Sequence, residues 1–211
     1  MEALLQKIYR GIIAGNQEDV GEDVQSILRA GADPETILKE GMISAMAEVG
    51  RLFEEGEYFV PDMLLSARAM QAALTVLKPH LIQAKIRSAG NVLIGTVQGD
   101  WHDIGKNLVA IMLEGAGFEI TDLGTDVPPE KFVRAVAEGG FDILALSALL
   151  TTTMPNMQNT VNALGEAGLR DRVKIIVGGA PITESYARQI GADGYAPDAS
   201  RAVGLAKSLL Q

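Results

Sequence analysis

Asn91-Val92-Leu93-Ile94-Gly95-Thr96-Val97-Gln98-Gly99-Asp100-Trp101-His102-Asp103-Ile104-Gly105 is the stretch that decides the fold. Its first seven residues form a short apolar run rich in β-branched side chains, which reads as a buried strand. Leu108-Val109-Ala110-Ile111-Met112-Leu113 follows as the apolar side of a helix. Gly99–Gly105 is therefore a strand-to-helix loop at the carboxyl end of a strand, where open α/β sheets keep their ligands. The loop holds His102, one of two histidines in the 211-residue chain.

Downstream the pattern repeats. Apolar strands are expected at Val92–Val97, Glu119–Leu123, Ile143–Ser147, Val173–Val177 and Gly194–Ala196, with helices near 104–116, 129–138, 155–167, 182–190 and 199–210. Strands alternating with helices indicate a parallel sheet covered on both faces. Five such units predict a flavodoxin-like, Rossmann-type sheet in the order 2-1-3-4-5. That order sets the loops after strands one and three, Gly99–Gly105 and Ser147–Met154, on either side of the switch point.

Upstream, residues 1–88 contain no convincing strand. Ala3-Leu4-Leu5, Ile8-Tyr9 and Ile12-Ile13 recur at helical spacing, and Gly15-Asn16 stops that helix. Val20, Val24, Ile27 and Leu28 form a second stripe that ends at Gly31. Asp33 caps and Pro34 opens a third helix carrying Ile37 through Phe53. A fourth runs from Met63 through Leu77, with Pro79 expected to kink or end it. Short connections make an antiparallel four-helix bundle the economical arrangement. Ser88-Ala89-Gly90 marks the boundary between a helical domain, 1–88, and an α/β domain, 89–211.

Composition narrows the chemistry. The chain has no cysteine, which removes disulfides, iron–sulfur clusters and thiolate zinc sites. It also removes the usual sign of an oxidising compartment, so a cytoplasmic location is expected. No apolar run approaches a membrane span, and no secretory signal is visible. The net charge is −9, and residues 1–88 hold 9 of the 18 basic and 13 of the 27 acidic side chains. With acidity this even and no basic cluster, nucleic-acid binding is disfavoured.

A histidine in a sheet-mouth loop can be a general base, a metal ligand or a structural hydrogen-bonder. A nearby acid can hold one ring nitrogen and leave the other free to ligate; Asp100 and Asp103 both qualify. Alone, the pair does not choose among these roles. A hydrolytic triad fits poorly, since no nucleophile-elbow sequence occurs beside Ser147 or the Thr151-Thr152-Thr153 run. A zinc site would need further ligands beyond His80 and His102. There is no Walker A loop, and Gly95-Thr96-Val97-Gln98-Gly99 is too loose for a dinucleotide fingerprint. A histidine that completes a cofactor's own metal needs no second protein ligand.

Three separated motifs go further. Asp100-x-His102-x-x-Gly105, then 41 residues, Ser147-x-Leu149, then 28 residues, and Gly178-Gly179 together resemble the signature of the base-off/His-on cobalamin-binding domain. Leu52-Phe53-Glu54-Glu55-Gly56-Glu57-Tyr58-Phe59-Val60-Pro61 and Ser66-Ala67-Arg68-Ala69-Met70 resemble the helical cap of its methyl-transferring branch. The whole chain is similar to the small corrinoid proteins of anaerobic methyltransferase systems and to the cobalamin-binding module of methionine synthase.

The resemblance implies that His102 ligates cobalt from below, displacing the cofactor's own base, and that Asp100 and then Thr153 extend the contact as a hydrogen-bonded chain. It implies that Trp101, Asp103, Ile104 and Gly105 line the same loop. It further implies that Ser147, Leu149, Thr151, Gly178 and Gly179 receive the displaced tail, with Tyr195 and Ala196 near it. Trp101 has two readings, packing under the corrin edge or covering the loop. Periodicity alone makes Phe53, Val60 and Met63 bundle core, whereas the resemblance places them over the corrin.

The function implied is a methyl carrier: a substrate-specific corrinoid methyltransferase loads cobalt, and a second methyltransferase passes the methyl to a thiol or tetrahydrofolate. A reductive activase completes the partners. The chain would be a subunit rather than a complete enzyme. The alternatives are a cobalamin-dependent sensor, a mutase subunit and a flavodoxin-like domain without corrinoid.

Overall fold

The computed structural model describes residues 1–86 and 88–211. The chain divides into two compact units, Met1–Ser88 with Gly115–Gly117, and Ala89–Glu114 with Phe118–Gln211.

The first unit is helical. α1 (Glu2–Ile13) and α2 (Gln17–Arg29) bury the stripes Leu5, Ile8, Ile12 and Val20, Val24, Ile27. α3 (Pro34–Thr36) begins where the sequence directs: Asp33 accepts a hydrogen bond from the Thr36 amide at 3.0 Å, and Pro34 occupies the first turn, where its missing N–H costs nothing. The third helix is not regular, however. Ile37–Ile43 follows a π-helical path before the α-helical path resumes as α4 (Ser44–Glu54). One extra residue per turn leaves the apolar positions close to an α-helical pattern, so spacing did not reveal it.

α5 (Val60–Gln83) continues through Pro79, so of the two expected outcomes the proline does not end the helix. Proline removes one backbone hydrogen bond, but here only one further turn follows, which the Ala84 amide closes onto the His80 carbonyl. The start of α5 is tied down: Tyr58 and Ser66 both donate hydroxyl hydrogen bonds to the Ile13 carbonyl at 3.0 Å.

The second unit is a five-stranded parallel sheet in the order β2-β1-β3-β4-β5. Its strands are β1 (Asn91–Thr96), β2 (Glu119–Asp122), β3 (Ile143–Ser147), β4 (Lys174–Gly178) and β5 (Gly194–Tyr195). They alternate with α6 (Ile104–Gly115), α7 (Pro129–Glu138), α8 (Pro155–Glu166), α9 (Glu184–Gln189) and α10 (Ala199–Leu209). Leu93, Leu144, Leu146, Ile175 and Val177 from the sheet bury against Phe132, Met157 and Leu164. Burial on both faces explains why these strands read as continuous apolar runs. The register aligns Thr96 with Ser147 and Ser147 with Gly178, so the carboxyl ends of three central strands stand level. The chain leaves β1 toward β2 on one side and returns to β3 on the other, which opens the crevice between their loops.

No helix among the described residues is long and apolar enough to cross a membrane.

Candidate functional site

The β1–α6 and β3–α8 loops meet at Asp100. Its side chain is 0% exposed, an unusual place for a carboxylate, and every contact compensates for lost water. Oδ2 accepts from the Leu149 amide at 2.7 Å, the Leu150 amide at 3.3 Å and the Thr153 hydroxyl at 2.7 Å. Oδ1 accepts from the His102 amide at 3.1 Å and lies 2.7 Å from His102 Nδ1. Burial alone would raise the Asp100 pKa. The hydrogen bonds from Thr153, Leu149 and His102 outweigh it and hold the carboxyl well below the usual range.

An ionised carboxylate only accepts, so Nδ1 of His102 carries the proton. Nε2 is then the basic nitrogen, and among the described residues it has no hydrogen-bond partner. The imidazole is half exposed. Its backbone is held as well: the buried Thr96 hydroxyl donates to the His102 carbonyl at 2.9 Å. Asp103 does not share the work expected of either acid. It accepts from Asn107 Nδ2 at 3.1 Å, one turn along α6, and Asp100 alone holds the ring.

Large apolar side chains surround this polar chain in the same two loops. Trp101 is 72% exposed and Ile104 76% exposed, and Leu149 and Leu150 are also open to solvent. Gly105, in the first turn of α6, has nothing within 4 Å of where a Cβ would stand and no left-handed backbone. Glycine costs a helix about 0.5–1 kcal/mol relative to alanine, and nothing in this chain requires it at Gly105. The space it leaves faces outward.

Ser147 is half-buried at the end of β3, and Thr151 is exposed; neither hydroxyl has a hydrogen bond among the described residues. The two glycines after β4 differ from Gly105. A Cβ on Gly178 would stand 3.1 Å from the Ala196 carbonyl oxygen, and one on Gly179 only 1.9 Å from that of Ala148. Gly179 also has φ +129, so it lets the β3 and β4 loops touch through backbone alone. Tyr195 ends β5, half-buried against the sheet core, and the Ala196 amide donates to the Val177 carbonyl at 3.2 Å. In the helical unit Phe53 is half-buried near the end of α4, Val60 is partly exposed at the start of α5, and Met63 is fully buried.

Sequence reasoning missed several supports of the loop. The Leu150 amide and Thr96 hydroxyl carry no motif. Lys106, given no role, is a buried ammonium paired with Asp122 of β2 and lies 2.6 Å from Asn107 Oδ1. Asp126, after β2, bonds the loop backbone; only the adjacency of β1 and β2 in the expected strand order could have pointed to it.

The donor set favours a metal that arrives with its own ligands. No group of three or more His, Asp or Glu side chains among the described residues could hold an ion. A half-exposed imidazole with one unpartnered nitrogen, exposed apolar side chains and an uncrowded glycine would fit a macrocyclic cofactor that brings its own metal.

Comparison with known proteins agrees. Residues 90–204 match the family described as B12 binding domain, and residues 4–78 match a second family of the same description. Dimethylamine corrinoid protein 3 of Methanosarcina acetivorans is 42% identical over 210 residues, covering 100% of this chain and 98% of that protein. A chain of the methanol:cobalamin methyltransferase complex MtaBC from Methanosarcina barkeri superimposes with a TM-score of 0.88 at 32% identity, covering 99% of this chain and 80% of that one. A cobalamin-binding protein from Desulfitobacterium hafniense DCB-2 gives a TM-score of 0.81 at 33% identity, covering 97% and 98%. Both halves of the chain and the residues around His102 lead to one conclusion: the chain belongs to the B12-binding family, whose cofactor is cobalamin or a related corrinoid.

Proposed function

We propose that this chain is a methyl carrier that binds its corrinoid with His102 as the lower axial ligand to cobalt. It would shuttle a methyl group from a substrate:corrinoid methyltransferase to a second methyltransferase with a thiol or tetrahydrofolate acceptor. The carrying observation is the buried, ionised Asp100, which fixes the His102 tautomer with Nε2 free and outward. When bound, the corrinoid supplies a cobalt that accepts and gives up the methyl group.

The protein's part is to hold and tune. Asp100 makes Nε2 a better donor by accepting a hydrogen bond from Nδ1–H, and Thr153 restrains Asp100 from the other side. Trp101, Ile104, Leu149 and Leu150 cover apolar macrocycle surface, and Gly105 lets it approach the α6 backbone. Ser147 and Thr151 offer free hydroxyls to the displaced tail. On this reading residues 89–211 are the corrinoid-binding domain and residues 1–88 its helical companion domain.

A transferase partner is supported by the MtaBC likeness and by relatives named for methylamine substrates. A reductive activase would restore cobalt that has been oxidised adventitiously. The absence of cysteine suits a reducing cytoplasm.

The test is direct. The protein is loaded with cobalamin, reduced to Co(II), and examined by EPR. Nitrogen superhyperfine splitting that disappears in His102→Ala is the expected result; splitting retained in that variant overturns the ligand assignment. Methyl transfer from the loaded protein to a thiol or folate, with a partner transferase added, distinguishes a carrier from a cobalamin-dependent sensor.

A further inference from the structure

We propose that Asp126, outside all three sequence motifs, is a positioning residue that sets His102 for axial ligation by clamping the Gly99-Asp100 segment at the Gly99 amide and the Asp100 carbonyl. The inference rests on the reading of His102 as the cobalt ligand.

Asp126 lies in the loop between β2 and α7, and it is not a glycine although its φ is +53. Left-handed backbone is disfavoured for a residue with a Cβ, and aspartate is among the few that tolerate it singly. That conformation lets one residue grip the same dipeptide twice. Its amide donates to the Asp100 carbonyl at 2.9 Å, and its Oδ1 accepts from the Gly99 amide at 2.7 Å.

The rest of the Asp126 loop is anchored independently. The Thr96 amide donates to the Gly124 carbonyl at 3.0 Å, and the Val127 amide donates to the Thr96 carbonyl at 3.0 Å. Those bonds keep the β2–α7 loop beside the end of β1 whether or not the Asp126 carboxylate is present. The carboxylate adds something else. It holds the Gly99 amide, one residue before Asp100, and the Asp100 carboxylate in turn holds the imidazole. The Asp100 amide is bonded separately, to the Val97 carbonyl at 3.1 Å, so losing the Gly99 bond would loosen the approach to Asp100 without freeing it, and would let the carboxylate and the ring it holds shift.

Asp126→Gly keeps left-handed backbone available and removes the acceptor. Asp126→Asn keeps both the acceptor and a residue type tolerant of the conformation. Each variant is loaded with cobalamin, reduced to Co(II), and scored for the fraction showing imidazole superhyperfine splitting. Corrinoid affinity is measured by titration, and Gly99 amide hydrogen exchange is followed in the unloaded protein.

Asp126→Gly is expected to weaken corrinoid binding by about 3- to 10-fold, below the 10–100-fold typical of a direct partner of a metal ligand. It should also lower the imidazole-ligated fraction and deprotect the Gly99 amide, while Asp126→Asn restores all three. Unchanged splitting and affinity in a folded Asp126→Gly overturn the proposal. Should that variant not fold, the native protein decides: a Gly99 amide that exchanges as fast as the exposed loop amides overturns it. Superhyperfine splitting that survives His102→Ala would instead refute the ligand reading, so the two failures are told apart.

Discussion

The Thr153 hydroxyl lies 2.7 Å from Asp100 Oδ2, across 53 residues of sequence. The same oxygen is 2.9 Å from the Leu150 carbonyl, yet one hydroxyl proton serves one acceptor well. The charged carboxylate is the stronger acceptor, so the proton points to Asp100. Thr153→Ala should therefore destabilise the α/β unit by about 1.5–3 kcal/mol, the range for a hydrogen bond to a charged group. Urea unfolding of the unloaded protein checks this. A cost of only about 0.5–1.5 kcal/mol, the range for a neutral acceptor, would mean that the hydroxyl turns to Leu150.

Acid should undo the same site in a defined direction. Asp100 titrates well below an unfolded aspartate, whose pKa is about 3.9. Between the folded and unfolded values the unfolded chain binds the extra proton, so falling pH favours unfolding. The contribution of Asp100 is complete above about pH 5 and declines as pH drops through about 4 toward the folded value. The urea midpoints of the native protein and Asp100→Asn should diverge most near neutrality and converge toward pH 3. A constant gap across that range would contradict the assignment.

Two glycines should respond to alanine in opposite ways. Gly179→Ala drives a Cβ to 1.9 Å from the Ala148 carbonyl at a φ of +129, so it should cost several kcal/mol or prevent folding. Gly105→Ala meets nothing and should stabilise the unloaded chain by about 0.5–1 kcal/mol through helix propensity. On the proposed reading it should also weaken corrinoid binding. Thermal melts and corrinoid titration of the same samples separate the effects; a Gly105→Ala that binds corrinoid normally would remove the close-approach role.

The Lys106–Asp122 pair should be asymmetric to mutation, because the lysine is buried and Asp122 is partly exposed. Asp122→Asn strands a buried ammonium and should cost about 1–3 kcal/mol, less than the 3–5 of a fully buried pair broken on one side. Lys106→Met replaces the charge with an apolar chain of similar volume and should cost less. Equal losses in chemical denaturation would show that packing rather than charge governs the position.

Much of the site was legible because period and topology act over short distances. The apolar runs gave the strands to within a residue, and their alternation with helices gave the order that brings Thr153 to Asp100. What escaped had other causes. The π-helical path at Ile37–Ile43 has no residue-type signature of its own, since its apolar residues suit an α-helix equally well. Asp126 bonds backbone groups of the loop, and the Leu150 amide is itself one; such groups belong to every residue and no motif records them. Lys106 has no motif either; its pairing depends on β2 bringing Asp122 to the start of α6.

Trp101, Ile104, Leu149 and Leu150 have a consequence for the life of the chain in the cell. All four are exposed large apolar side chains in the loops at the end of a parallel sheet that assembles from distant segments, and on the proposed reading the corrinoid would cover them. On the proposed reading corrinoid supply would bear on the protein's abundance as well as its activity, with unloaded copies expected to self-associate and to draw chaperones and proteases more than loaded ones.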